Sequence, residues 1–220
     1  MWELAKFIMD KITIGQATLI NGDCMELMRN TPDNYYQLSI VDPPYGIGDK
    51  FKGGETGKMN FNDIVNKGWD IAPTKEYFDE LKRVSKNQII WGGNYFNLPP
   101  TRCVIAWDKC QPWENFSQWE MAWTSFDKPA AFFSYSNIRN ADKEPKIHPT
   151  QKPLALYLYL LNRFAKTGDK ILDTHGGSFS SAIAANNLGF DFTGIELDAD
   201  YYNAAVKRVS DANQQIRMFA

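Results

Sequence analysis

Two consecutive prolines, Pro43 and Pro44, set the tightest local constraint on what this chain can fold into. The apolar run Leu38 to Val41 reads as a short buried strand, and the prolines then forbid both ladder pairing and a helix, holding the next residues extended. Asp42 therefore stands at the carboxyl end of a strand. In an open parallel sheet that edge is where ligands bind, in a crevice where the strand order reverses. Asp42, Pro43, Pro44 and Tyr45 together offer a fixed carboxylate, a line of carbonyl oxygens and an aromatic ring. Such a set suits a planar amine, with acceptors for its hydrogens and a ring face for the base that carries it.

Composition narrows the setting. At 220 residues the chain is long enough for one domain with a real core, and residues 1–220 are read as a single domain. The 24 basic and 26 acidic side chains leave a net charge of -2, so any groove for nucleic acid is local rather than global. Cys24, Cys103 and Cys110 show neither CxxC nor Cys/His ligand spacing, which fits reduced thiols in a cytoplasmic protein and predicts no metal site. Met1 to Asp10 mixes Glu3, Lys6 and Asp10 into a short apolar pattern. It fits neither a signal peptide nor a membrane span, and reads as a helix or arm packed on the domain.

Along the chain, Ala17 to Ile20 is a short strand running into Asn21-Gly22-Asp23, with a helix opening at Cys24. Asp23 is either a helix cap or a ligand contact. Residues 48–68 bring five glycines among four lysines with little apolar periodicity. This long loop is either placed to close over a site or a surface insertion. Thr74 to Val84 is an amphipathic helix with Tyr77, Phe78, Leu81 and Val84 on one face, and Gln88 to Trp91 is a strand ending in a glycine turn. Val104 to Trp107, Met121 to Trp123 and Ala131 to Tyr135 are short strands without helices between them, so antiparallel pairing is expected. Tryptophans and phenylalanines crowd residues 107–145, most of them for the core and a minority for a groove where a base could stack.

The last third alternates again. His148 to Pro153 precedes an apolar helix, Leu154 to Phe164, with Pro153 in its first turn and Leu154, Leu158, Leu161 and Ala165 on one stripe. A strand, Lys170 to Leu172, ends at Asp173 and opens through Thr174-His175-Gly176-Gly177-Ser178 into a helix at Phe179 to Asn187. A glycine turn there lets a ligand approach the backbone above a helix amino terminus. The next strand, Phe192 to Ile195, ends in Glu196, an acid placed to accept from both hydroxyls of a ribose. A last amphipathic helix covers Tyr201 to Ala212. These alternations predict an α/β domain with its loops on one sheet edge.

Taken together, these elements resemble the DNA amino-methyltransferases, in the permuted order of the β class and close to small phage-type methylases. Asp42 to Tyr45 matches the catalytic motif, Asp173 to Ser178 the cofactor loop, Gly194-Ile195-Glu196 the ribose acid, and His148 to Pro153 the segment beside the cofactor. The loop departs from the usual Asp-Pro-Phe-x-Gly-Ser-Gly at Thr174, His175 and Phe179. The resemblance implies a Rossmann-like S-adenosylmethionine-dependent methyltransferase fold: a mostly parallel twisted sheet with helices on both faces and an antiparallel edge. It implies S-adenosylmethionine as cofactor, DNA as partner, and methylation of adenine N6 in a flipped-out base. Asp42, Pro43, Pro44 and Tyr45 would be catalytic. Asp23, Thr150, Lys152, Asp173, His175, Gly177, Ser178 and Glu196 would bind the cofactor, with Thr150 and Lys152 beside its methionine carboxylate. Residues 48–68 and 107–145 would contact DNA. Cytosine N4 is the runner-up target; an inactive partner subunit, or an amine methylase acting on RNA or a protein amide, are further alternatives. The oligomeric state, a homodimer included, is left open.

Overall fold

A computed structural model describes residues 10–47, 70–112, 117–136 and 146–219. The glycine- and lysine-rich loop, the start of the amino-terminal arm, Trp113, Phe116 and most of the weakly basic segment after Ser136 lie outside these residues.

Among the described residues nine strands form one sheet in the order β1-β2-β9-β8-β3-β4-β6-β5-β7. They are β1 (Asp10–Ile14), β2 (Ala17–Asn21), β3 (Tyr36–Val41), β4 (Ser85–Trp91), β5 (Val104–Asp108), β6 (Trp119–Thr124), β7 (Ala131–Ser134), β8 (Lys170–Asp173) and β9 (Asp191–Glu196). The central strands β2, β9, β8, β3 and β4 pair in parallel. The helices are α1 (Cys24–Arg29), α2 (Lys75–Val84), α3 (Leu154–Phe164), α4 (Ser180–Leu188) and α5 (Ala199–Phe219). Successive residues of a strand face opposite sides, so a strand apolar at every position must be covered on both. Ile40, Ile89, Trp91 and Ile171 accordingly join one core with residues of α3, α4 and α5. Val41, Ile90 and Leu172 join a second core with Met28 of α1 and Tyr77, Phe78, Leu81 and Val84 of α2. Two separate clusters of that size account for helices on both faces.

The chain leaves β3 through α2 toward β4 on one side, and leaves β8 through α4 toward β9 on the other. Adjacent parallel strands whose connections diverge leave a crevice beyond their carboxyl ends. Asp42 follows β3 and Asp173 closes β8, so both acids stand at this divergence.

Five details differ from the expectations above. Asp10 belongs not to an arm but to β1, which pairs antiparallel with β2 across Gly15 and Gln16. Gly15 takes a left-handed φ of 64° there, and the short turn fixes the register. The antiparallel reading of the aromatic strands holds for β4 with β6 and for β5 with β6, but β5 and β7 are parallel. Both edges of β6 are already occupied, so the returning chain pairs with the free edge of β5 and runs along it in the same sense. On α3 the buried residues are Leu156, Tyr157, Leu160, Leu161 and Phe164, while Leu154 and Leu158 are only half-buried, because a helix this apolar is covered on more than one stripe. Its Pro153 takes the N-cap position instead of the first turn. Finally, α4 begins at Ser180, and Phe179 before it is a left-handed cap with φ of 51°. Among the described residues no helix is long and apolar enough to cross a membrane.

Candidate active site

A cavity of about 1390 Å³ opens along the carboxyl edge of the sheet. Pockets for a single small ligand measure roughly 300–1,000 Å³, so this one has room for two reactants side by side. Asp42, Pro43, Pro44, Tyr45, Asp23, Thr150, Lys152, His175, Gly177, Ser178 and Glu196 all contribute to its wall. Asp173 does not: it is 1% exposed and lies one layer beneath.

On one side stands the catalytic motif. The prolines supply no N–H, so the Asp42 carboxylate is held by side chains. Tyr45 Oη donates to Asp42 Oδ1 at 2.7 Å, and Lys152 Nζ donates to Asp42 Oδ2 at 2.7 Å. The Tyr45 ring stacks on Tyr95, with centroids 4.9 Å apart and an 18° interplanar angle. It also presses on Gly92, where an added Cβ would meet Tyr45 Cε1 at 2.2 Å. That contact, with a φ of 69°, is why a glycine ends β4. Lys152 is buried beneath the cavity, and its Nζ also donates to Glu120 Oε2 at 2.8 Å and lies 5.2 Å from the Trp91 ring centre. Glu120 in turn meets Lys109 Nζ at 2.5 Å. Burial opposes the charge on Glu120, but the two ammonium groups outweigh it and hold this carboxyl down at about 2. Burial would likewise discharge Lys152, yet Asp42 and Glu120 raise its pKa above the ordinary lysine value.

On the other side lies the glycine turn. Gly177 adopts a left-handed φ of 52°, and its N–H donates to Glu196 Oε2 at 2.8 Å. Asp198 N–H donates to Glu196 Oε1, also at 2.8 Å, so both carboxylate oxygens are oriented by backbone. Burial still raises the Glu196 pKa against these donors. The His148 ring covers Gly177, with Nδ1 only 3.3 Å from where a Cβ would stand, and packs edge-on against Tyr201 at 4.4 Å. Thr150 is exposed and its hydroxyl hydrogen-bonds His148 Nδ1 at 3.1 Å. Asp23 caps α1, accepting from Met25 N–H at 2.8 Å, and reaches the cavity as well, so the two readings of this residue coexist. Ser178 is buried, its hydroxyl 3.3 Å from that of Ser180.

Below the turn, Asp173 accepts from His175 N–H at 3.1 Å and from the Ser181 hydroxyl at 2.6 Å. Burial nevertheless pushes its pKa up to about 7. Burial also pulls His175 down to about 4, which leaves a neutral imidazole near pH 7. Its Nδ1 contacts the Thr174 hydroxyl at 3.0 Å, and Thr174 contacts Tyr77 Oη at 2.6 Å. The Phe179 ring is fully buried, turned inward between Gly176 and Gly194 and away from the cavity wall.

Residues 107–207 match the sequence model of a family described as DNA methylase, which spans N6 and N4 methyltransferases. The chain is 25% identical over 248 residues to the Type II methyltransferase M.HinfI of Haemophilus influenzae, across 88% of this chain and 68% of the relative. It resembles the DNA amino-methyltransferases. Its fold is theirs too: an M1.HpyAVI-SAM complex aligns with a TM-score of 0.55 at 19% identity, covering 88% of this chain and 98% of that one. PvuII DNA methyltransferase (cytosine-N4-specific) aligns with a TM-score of 0.58 at 13% identity, covering 94% of this chain and 96% of that one.

The sequence alone did not point to Glu120, Lys109, Tyr95 or the ring of His148. Glu120 carried a signal, since an acid inside the aromatic strand Trp119–Thr124 needs a buried cation. Lys152 was expected beside a cofactor carboxylate; its ammonium lies between Asp42 and Glu120. Of the tryptophans described between 107 and 145, Trp107 and Trp123 are core, while Trp119 is 54% exposed on the cavity wall.

Proposed function

We propose that this protein is an S-adenosylmethionine-dependent DNA methyltransferase that modifies the exocyclic N6 of adenine in a flipped-out base. The observation that carries this reading is the placement of Asp42 and Glu196 on the two sides of one cavity, around the divergence of β3 and β8. The glycine side suits the cofactor. Glu196 is an oriented acceptor for a ribose diol, and Gly177 carries no side chain of its own, the His148 ring lying where one would stand. Asp23, His175 and Thr150 complete that wall, and Asp173 is the reserve of negative charge beneath it. Bound there, S-adenosylmethionine supplies a methyl group activated on a sulfonium sulfur.

The chain's own residues have the amine to prepare. An exocyclic amine on an aromatic ring is a poor nucleophile because its lone pair is delocalised. Asp42 and the Pro43 carbonyl accept its hydrogens, draw them from the ring plane and localise that pair, and Asp42 then takes the proton the methylated nitrogen sheds. Tyr45 aligns the base and, through its hydroxyl, the Asp42 carboxylate. Direct transfer fits the thiols present: Cys24 lines the cavity, but burial pushes it up to about 12, too high for a nucleophile near pH 7. A base inside a duplex cannot reach this crevice, so it must leave the stack. Exposed Tyr95 and Trp119 at the cavity offer rings for unstacked bases.

Cytosine N4 is the second reading, favoured by the likeness to a cytosine-N4-specific structure. The test is sequencing with modified-base detection on DNA from methylation-deficient cells expressing the wild type or Asp42→Ala. N6-methyladenine in a fixed sequence context, absent with Asp42→Ala, is expected. N4-methylcytosine selects the second reading, and an Asp42→Ala variant of full activity overturns the site.

A further inference from the structure

We propose that Glu120 is a positioning residue for methyl transfer: clamped by Lys109, it holds the Lys152 ammonium against Asp42 and so fixes the carboxylate that receives the substrate amine. The proposal rests on the methyltransferase reading above. Asp42 follows β3 at two prolines that lack N–H groups, so no backbone donor of Pro43 or Pro44 can orient it. Its two oxygens are taken by Tyr45 and Lys152, both at 2.7 Å. Lysine is a flexible point charge with several rotamers, so an ammonium that sets the position of a carboxylate must itself be anchored. Glu120 is that anchor. It sits on β6, paired to β5 at Trp107, within a strand that also pairs with β4. One of its oxygens takes Lys152 at 2.8 Å and the other takes Lys109 at 2.5 Å.

The result is an alternating row, Lys109, Glu120, Lys152, Asp42, ending on the Tyr45 hydroxyl. It joins three strands and the segment ahead of α3. A buried ion pair roughly breaks even in stability against apolar side chains of the same volume, so stability alone gives no reason to bury the Lys152 ammonium among three half-buried charges here. Holding a carboxylate within a fraction of an ångström of its working position does give one.

The groups facing Lys152 are Asp42 beyond β3, Trp91 on β4, Glu120 on β6 and Tyr157 on α3. Glu120→Gln leaves one carboxylate to oppose the burial that favours neutral lysine, so Lys152 should lose its proton at lower pH. The measurements are single-turnover methyl transfer against pH, cofactor and DNA dissociation constants, and an NMR titration of the Lys152 ammonium. With E120Q the rate should fall at least about tenfold, both dissociation constants should stay within about twofold, and the alkaline limb of rate and ammonium titration should move down together. Should E120Q fail to fold, K109M carries the test through the rate: an unclamped Glu120 should lower it by a smaller factor, while the loss of a neighbouring cation keeps Lys152 protonated. Rate and titration unchanged in folded E120Q, or a rate unchanged in folded K109M, overturn the proposal, as does a loss confined to cofactor affinity, which would make Lys152 a cofactor contact. A wild-type protein that methylates no DNA defeats the functional reading instead, whatever Glu120 does.

Discussion

Asp173→Asn should make the protein more stable in mild alkali while weakening its hold on the cofactor. The carboxyl is 1% exposed, and burial lifts its pKa from 3.8 to about 7 against the pull of Ser181 and His175. A folded-state pKa above the unfolded one means that the stability contribution is fully present below pH 4 and is lost as pH rises through 7. At about 1.4 kcal/mol per unit, burying Asp173 costs roughly 4 kcal/mol by pH 8, where it is ionised, and about 2 kcal/mol at pH 5, where folding holds it protonated. Asparagine never bears that cost. It keeps one acceptor oxygen for the two donors that Asp173 satisfies, so one of the Ser181 or His175 hydrogen bonds is lost, at about 1–3 kcal/mol. The variant should then be about equal to the wild type near pH 5 and more stable by about 1–3 kcal/mol at pH 8. Urea denaturation of both proteins at several pH values measures the difference directly. A gap that stays constant between pH 5 and 8 would refute the reasoning, because only a carboxyl titrating in that window can open it. Calorimetry on the same pair should show weaker S-adenosylmethionine binding by the variant at pH 8.

Three further substitutions probe the walls of the cavity. Tyr45→Phe keeps the ring against Tyr95 but removes the 2.7 Å hydrogen bond to Asp42, so single-turnover rates should fall by about tenfold while DNA affinity holds. Gly92→Ala drives a methyl group into the Tyr45 ring and forces a side chain into a left-handed φ, which should cost about 1–2 kcal/mol in thermal or urea unfolding and lower activity as well. Glu196→Gln turns an amide N–H₂ toward the N–H of Gly177 or Asp198, and calorimetry should show cofactor affinity at least about tenfold weaker in a folded protein.

What could be read in the residues divides along physical lines. Strand ends punctuated by proline or glycine were legible: Asp42, Asp173, Gly177 and Glu196 all stand at the sheet edge that local rules assigned them. Such rules act over a few residues and leave a trace in the order of apolar and turn-forming side chains. The bond between Lys152 and Asp42 crosses 110 positions and has no periodicity, so Lys152 was read only by its neighbourhood. Its second partner, Glu120, lay just outside a strand that was started one turn of the pleat too late, at Met121 rather than Trp119. The parallel pairing of β7 was hidden for a similar reason, since strand order is decided by which edges are already taken.

Phe179 has a bearing on descent. Its left-handed backbone swings the ring into a slot where a Cβ on Gly176 would lie 2.0 Å, and one on Gly194 2.5 Å, from its Cε1. The three positions therefore cannot change independently. Exchanging Phe179 for glycine relieves the backbone but leaves a void the size of a phenyl group, and Phe→Ala vacancies cost about 3–5 kcal/mol. Placing a side chain first at 176 or 194 collides with the ring while it is still there. A lineage that carries this turn can reach a turn built on glycine alone only through an unstable ancestor or several simultaneous replacements. The aromatic ring thus works as a ratchet, because each single exchange at 176, 179 or 194 leaves either a collision or a void.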